Sequence, residues 1–320
     1  MVRFLLRLSA QALLLFFFSF TLLFLLVRGL GDPAQMLLGQ RSDQASLEAI
    51  RASLHLDQPL WRQYLYAWQD WFPYREGQWR WPTLGISYQF GQPVAHLFWE
   101  RLPATLLLGG LAFGVAVLIG VGGGLWQAYR PSAWIHALSL LVLSLPSYVL
   151  GLLLIILLAL KLRWFPFAGY VYAYDPLSEK VLWQGKYLVL PVLVLALRPA
   201  AYFFQLTAAQ ARQILASDYV RAARARGKPS WAILTQDVLR VLLPSLATAL
   251  SQWLAGLFTG AFFVEELFDW PGLGKLLFLA LSTSDFPLIL GLAQLSALLF
   301  VGLHTIGDLL AWWSDPRLHT

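Results

Sequence analysis

The sequence predicts an all-α, polytopic membrane protein with six transmembrane helices. Two observations carry that prediction. First, 58% of the 320 residues are hydrophobic and only 12% are charged, about half the charged fraction of an ordinary soluble domain. Second, the apolar residues gather in long runs without charge, and mean hydropathy is +0.62. A soluble chain could not cover its surface with so few charges, and a disordered one needs low hydrophobicity.

A spanning helix needs about 20 mostly apolar residues. In order, the runs are Leu8–Val27, Leu102–Tyr129, Pro131–Leu160, Tyr187–Ala211, Val241–Val264 and Phe286–Gly307. Only the fourth contains a charge, Arg198. The first run follows Arg3 and Arg7, as in a signal peptide. Its apolar core is too long for one, and Arg-Gly-Leu-Gly-Asp-Pro stands where small residues would be cleaved. It reads as a retained helix.

The segment from Gly29 to Glu100 is too polar to span. Leu47, Ile50 and Leu54 share one helical face, and a second helix carries Trp61, Tyr64, Leu65 and Trp68. Asp57 is expected as its N-cap, with Pro59 in its first turn. This divides the chain into 1–100, a first span plus an external segment, and 101–320, a five-span core. Trp126, Trp134, Trp164, Trp183, Trp312 and Trp313 lie near span ends, the expected aromatic belt.

The 23 basic and 17 acidic residues leave a net charge of +6. In a membrane chain such an excess reports orientation rather than nucleic-acid binding. With both termini in the cytoplasm, the cytoplasmic parts hold Arg3, Arg7, Arg130, Arg212, Arg221, Arg224, Arg226, Lys228, Arg240 and Arg317. The short outer loop after span five holds Glu265, Glu266, Asp269 and Asp285 against Lys275. The outer loop from Lys161 to Lys186 runs against the rule, with more basic than acidic residues.

Chemistry-bearing motifs are sparse. There are no cysteines, so thiolate nucleophiles and disulfides are excluded. His96 and Glu100 stand four apart without a third ligand, Gly274-Lys275 lacks the rest of a phosphate-binding loop, and Gly-x-Ser-x-Gly is absent. The reading is no catalytic site, no metal and no cofactor in this chain. Ionisable residues within spans are costly and mark function. Arg198, beside Pro199, is therefore a candidate for the substrate path, as against snorkelling or pairing within the bundle. His136 and His304 read as helix-packing or interfacial residues. Gly110/Gly114, Gly120/Gly124 and Gly256/Gly260 have the small-residue spacing that permits close helix approach.

The most informative polar stretch lies between spans four and five, at about 212–242. Asp218 is expected to cap a short helix with a basic face of Arg221, Arg224 and Arg226. Gly227 ends it, with Pro229 just beyond. A second helix carries Trp231, Leu234, Val238 and Leu242. Physics alone leaves two readings open: a protruding docking element, or a basic loop that fixes topology.

Tyr219-Val-Arg-Ala-Ala-Arg-Ala-Arg-Gly227 resembles the EAA loop of ABC-importer permeases. Glu265-Glu-Leu-Phe-Asp-Trp-Pro-Gly-Leu-Gly274 resembles that family's E-x-x-F-x-W-P-G-L-G segment. Asp285-Phe-Pro287, Asp315-Pro-Arg317, Arg101-Leu-Pro-Ala-Thr105, Gly31-Asp-Pro33 and Leu56-Asp-Gln-Pro-Leu60 match further landmarks in order. Nearly the whole chain is similar to the B-type permease subunit of dipeptide/oligopeptide importers.

The resemblance implies a type I ABC-importer permease fold in the prokaryotic plasma (inner) membrane. It implies four kinds of partner: a second permease subunit, two ATP-binding subunits, an external substrate-binding protein and a peptide substrate. Coupling to the ATPase would fall to Asp218, Tyr219, Arg221, Ala222, Ala223, Arg224, Arg226 and Gly227. An external loop or gate would fall to Glu265, Phe268, Trp270, Pro271, Gly272 and Gly274. Two departures stand out. The interval from Gly227 to Pro244 is one residue short for the family, and Arg198 replaces an apolar residue. The competing readings are the same fold with nickel or a glutathione-like cargo, a stand-alone channel or secondary transporter, and a membrane enzyme.

Overall fold

The computed structural model describes residues 2–29, 48, 51–52, 56–69, 71, 74–75, 78–79, 82–169, 172–175 and 180–314. In chain order the helices are α1 (Val2–Gly29), α2 (Leu60–Gln69), α3 (Val94–Tyr129), α4 (Ala133–Ser144) and α5 (Ser147–Leu154). They continue as α6 (Lys186–Leu215), α7 (Asp218–Ala225), α8 (Ser230–Ala232), α9 (Leu239–Leu267), α10 (Leu273–Ser282) and α11 (Phe286–Ser314). A π-helical stretch, Ile155–Lys161, extends α5, and another, Ile233–Val238, joins α8 to α9. Two short antiparallel hairpins, Tyr74–Arg75 with Gln78–Trp79 and Tyr172–Asp175 with Lys180–Trp183, join this otherwise helical fold.

Among the described residues, four helices are long and apolar enough to cross a membrane: Val94–Tyr129, Lys186–Leu215, Ser230–Leu254 and Phe286–Gly307. The expected first span lies in α1, whose 28 residues reach about 42 Å at 1.5 Å per residue. The third expected span is corrected. It is not one helix over 131–160 but the pair Ala133–Ser144 and Ser147–Lys161, bent by 114°. Pro146 is the cause. A proline pushes the residue before it out of the helical region, and Leu145 is extended at φ −86°, ψ 138°.

The chain forms two compact units. The first comprises 1–103 and 272–301. Here the aromatic face of α1 (Phe16, Phe20, Phe24) meets Tyr64 and Trp68 of α2. The rings of Phe20 and Trp68 lie 4.2 Å apart, and the hydroxyls of Thr21 and Tyr64 share a hydrogen bond of 2.8 Å. The opposite side of α1, including Leu14, Phe18 and Leu25, stays exposed, as a lipid-facing surface should. Gln294 of α11 is fully buried; its amide donates to the Phe16 carbonyl at 2.8 Å and accepts from the Ser19 hydroxyl at 3.2 Å. The expected N-cap of α2 shifts. The helix starts at Leu60, so Pro59 holds the cap position, and its carbonyl accepts from Gln63 N–H at 3.2 Å. Asp57 instead accepts from the Gln58 amide at 3.0 Å. Of the helix expected at 46–54, only 48, 51 and 52 are described, all helical. The motifs at 31–33 and 315–317 lie outside the described residues.

Asp285, buried in the same unit, anchors the start of α11. Its carboxylate accepts from Ser87 Oγ at 2.5 Å, Gln89 N–H at 3.0 Å and Leu288 N–H at 3.2 Å. The last bond satisfies one of the orphan donors of a helix N-terminus.

The second unit comprises 104–271 and 302–320. Its core gathers Leu108, Ala112 and Ala116 of α3, Leu190, Val194 and Phe203 of α6, and Ala261 and Val264 of α9. Of the three glycine pairs, one forms a seam. A Cβ on Gly120 would stand 2.6 Å from the Ala200 carbonyl oxygen, and one on Gly124 2.6 Å from Thr207 Cβ. Gly110, Gly114 and Gly256 have open space there, and Gly260 only ordinary contact.

Candidate functional site

The stretch expected to couple the chain to a partner folds in the second unit as an eight-residue helix, α7, laid on the root of α9. Its sequence is amphipathic in the helical period. Val220 and Ala223 are fully buried against Ile233, Val238 and Leu242. Arg221, Ala222, Arg224 and Arg226 are exposed. Burying Val220 contributes about 1.5–3 kcal/mol, which is what keeps so short a helix folded on its neighbour.

The start of α7 differs from expectation. Ser217, not Asp218, is the N-cap residue, extended at φ −73°, ψ 155°. Its hydroxyl turns back to the Ile214 carbonyl at 2.6 Å and makes no cap bond. Asp218 is the first helical residue, where its charge favours the positive end of the helix. It pairs with Arg221 at 3.0 Å. Both side chains are largely exposed, so this ion pair adds little stability.

The end of α7 is a Schellman motif. Gly227 has φ +77°. Its N–H donates to the Arg224 carbonyl at 2.9 Å, and Lys228 N–H donates to Ala223 at 3.3 Å. These bonds satisfy two orphan carbonyls and need a left-handed residue at Gly227.

The helix expected after the turn is not separate. It runs through the π-helical stretch into α9. Trp231 and Val238, seven residues apart, would share a face in a regular α-helix. The π-helical stretch has a wider turn and changes the phase. Val238 is fully buried and Trp231 is 66% exposed. Ile233 replaces Trp231 on the inward face.

That stretch also supplies a buried acid. Asp237 is 8% exposed. One carboxylate oxygen accepts from Lys228 Nζ at 2.6 Å, and the other accepts from the Tyr219 hydroxyl at 2.9 Å. This hydrogen bond, with partial burial second, holds the Tyr219 phenol above its ordinary range. The signal that marks Asp237 is an acid at the root of an apolar span, nine residues from a lysine.

The segment expected as an external loop or gate is not an exposed loop. In the second unit Glu265, Phe268 and Trp270 are buried. The Trp270 indole N–H donates to the Ala104 carbonyl at 3.0 Å, and its backbone N–H donates to Glu265 at 2.8 Å. Pro271 is half-buried. In the first unit Gly272 is the N-cap of α10, its carbonyl accepting from Leu276 N–H at 3.2 Å, and Gly274 is buried in its first turn.

Arg198 lies within α6, half-buried, and its Nε makes no hydrogen bond among the described residues. Two turns on, Gln205 donates to Ser139 Oγ at 2.5 Å and pairs with His136 Nδ1 at 3.3 Å. These bonds tie α4 to α6, the packing assignment expected for His136. His304 is half-buried on α11.

Residues 104–320 match the family described as binding-protein-dependent transport system inner membrane component. Residues 1–109 match the N-terminal membrane component of the same systems. The chain belongs to this family. It is a multi-pass inner-membrane permease component of an ABC transporter, not an enzyme. A permease protein of Brucella suis biovar 1 named for a peptide transport system is 34% identical, over 100% of this chain and 99% of the relative. The dipeptide transport system permease protein DppB of Alkalihalophilus pseudofirmus is 28% identical, over 90% of each chain. A permease protein of Escherichia coli K12 named for a D,D-dipeptide transport system is 32% identical, over 90% of this chain and 88% of the relative. Among solved structures, the inward-facing MetNI methionine ABC transporter matches at TM-score 0.51 and 16% identity, over 70% of this chain and 98% of that one. That likeness concerns the fold: the type I importer permease arrangement.

Proposed function

We propose that the chain is one of two permease subunits of an ATP-driven importer of dipeptides or oligopeptides. An external binding protein would deliver the cargo, and two ATP-binding subunits would drive the cycle. One observation carries the reading. Helix α7 buries Val220 and Ala223 on one side and presents Arg221, Arg224 and Arg226 on the other. A short basic helix pinned by its apolar face suits transmission of a partner's movement. ATP-driven closure of the ATPases would favour one arrangement of such helices, and hydrolysis the other. The peptide cargo follows from the names of relatives that match nearly the whole chain.

In this reading both termini, and 212–242, face the cytoplasm. The segment 1–100 is a span plus an external part, 101–320 is the five-span core, and Glu265 to Gly274 lies towards the outside, by the gate or the receptor. Arg198 borders the path, where an unpartnered guanidinium Nε within a span suits the carboxylate of a peptide. The test is uptake of labelled di- and tripeptides into proteoliposomes holding the assembled transporter. Uptake that requires both ATP and the binding protein is expected. Flux through the purified chain without an ATPase would overturn the proposal in favour of a stand-alone carrier.

A further inference from the structure

We infer that Asp237 is a positioning residue that clamps the coupling helix at both ends, so that α7 and the span beginning at α9 move as one body. The inference rests on the reading of α7 as the ATPase-facing helix. Its ground is geometric. Tyr219 sits in the first turn of α7, and Lys228 follows the Gly227 turn that closes it. Both reach the same carboxylate, at 2.9 Å and 2.6 Å. Between these two points Val220 and Ala223 pack on Ile233 and Val238.

An apolar face alone resists separation but is non-directional and gives little resistance to sliding. A single polar bond would leave a pivot. Two charge-assisted bonds to one acid remove both freedoms, because such bonds are short and directional. The acid itself belongs to the π-helical stretch at the base of α9. A push on α7 is therefore delivered to the backbone of the span rather than absorbed at the Gly227 turn. The clamp is also dry enough to hold: the Asp237 side chain is 11% exposed and that of Lys228 28%.

The experiment uses the full transporter in proteoliposomes and reads assembly, ATP hydrolysis and peptide uptake per ATP. Asp237→Asn is expected to assemble and to hydrolyse ATP, while uptake per ATP falls about tenfold, a typical coupling for residues in one network. Asp237→Glu is expected to recover most of that loss. Uptake per ATP at the wild-type level in Asp237→Asn would overturn the inference. Should Asp237→Asn fail to assemble, Tyr219→Phe decides. It removes one bond from a half-exposed side chain and leaves the ion pair, and uptake per ATP is expected to fall about threefold. An unchanged value would overturn the inference. A cysteine at Ala222 in the wild-type background separates the two levels. If it cross-links to the ATPase while Asp237→Asn transports normally, the clamp is wrong and the coupling reading stands. If it does not cross-link, the coupling reading itself fails.

Discussion

Replacing Gly227 tests how the coupling element is shaped. The residue sits at φ +77°, and a Cβ built on it meets nothing within 4 Å. Size therefore has no purchase there, and the cost of a side chain is conformational. The left-handed region costs an L-residue about 1–2 kcal/mol, and asparagine less than most. A β-branched residue is a stronger outlier in that region. The expected order of uptake is Gly227, then Gly227→Asn, Gly227→Ala and Gly227→Val. Gly227→Ala should depopulate the Schellman turn by about 5- to 30-fold relative to glycine, the equivalent of 1–2 kcal/mol. The assay is ATP-driven peptide uptake, normalised to protein inserted in the membrane. A clash-based account ranks alanine above asparagine because alanine is smaller. That order, or wild-type uptake in Gly227→Val, would refute the conformational argument.

Three further outcomes follow from packing and polarity. Gly124→Leu should lower thermal stability in detergent by about 1–3 kcal/mol or more, as overpacking does, because Thr207 Cβ and the Phe204 carbonyl leave no room. Gly110→Ala should be tolerated in the same assay; equal losses at both sites would contradict the seam. Trp270→Phe removes the pyrrole half of the buried indole together with the N–H that donates to the Ala104 carbonyl at 3.0 Å, costing about 1–3 kcal/mol for the bond and more for the space left behind. An unchanged melting temperature would show that bond to be idle. Arg198→Ala should raise KM for free peptides, with little effect on C-terminally amidated ones. Unchanged KM and rate for both would remove Arg198 from the path.

The fold was legible where a single property decides it. Apolar runs with at most one charge locate α3, α6, α9 and α11 to within a few residues at most ends, because hydrocarbon tolerates little else. Charge counting cannot see Pro146, so the bent pair α4–α5 reads as one span. The turn at Gly227 was legible because glycine before a proline is a helix stop with a mechanism. Its neighbourhood was not. The π-helical stretch leaves no mark in a 3.6-residue pattern, which groups Trp231 with Val238, although Trp231 is exposed and Val238 buried. Asp237 is the one acid between Tyr219 and Val264, but its neighbours Thr235, Gln236 and Arg240 are polar too, so polarity alone does not make it stand out. Its partners, Tyr219 and Lys228, become neighbours only when α7 folds back over the root of α9. Glu265 to Gly274 is expected as an external loop from the family resemblance and its acids, yet Trp270 and Phe268 pack in the core, because large aromatic rings bury wherever a cavity admits them.

The central claim is that α7 meets an ATPase subunit on the cytoplasmic side. The chain has no cysteine, so one introduced at exposed Ala222 reports on that position alone. Cross-linking it to the ATPase subunit in the assembled transporter, with and without ATP, is the most direct test. The account predicts labelling from the cytoplasmic side and a cross-link whose yield changes with ATP. Labelling from the outside, or no cross-link in a complex that transports peptide, would contradict it.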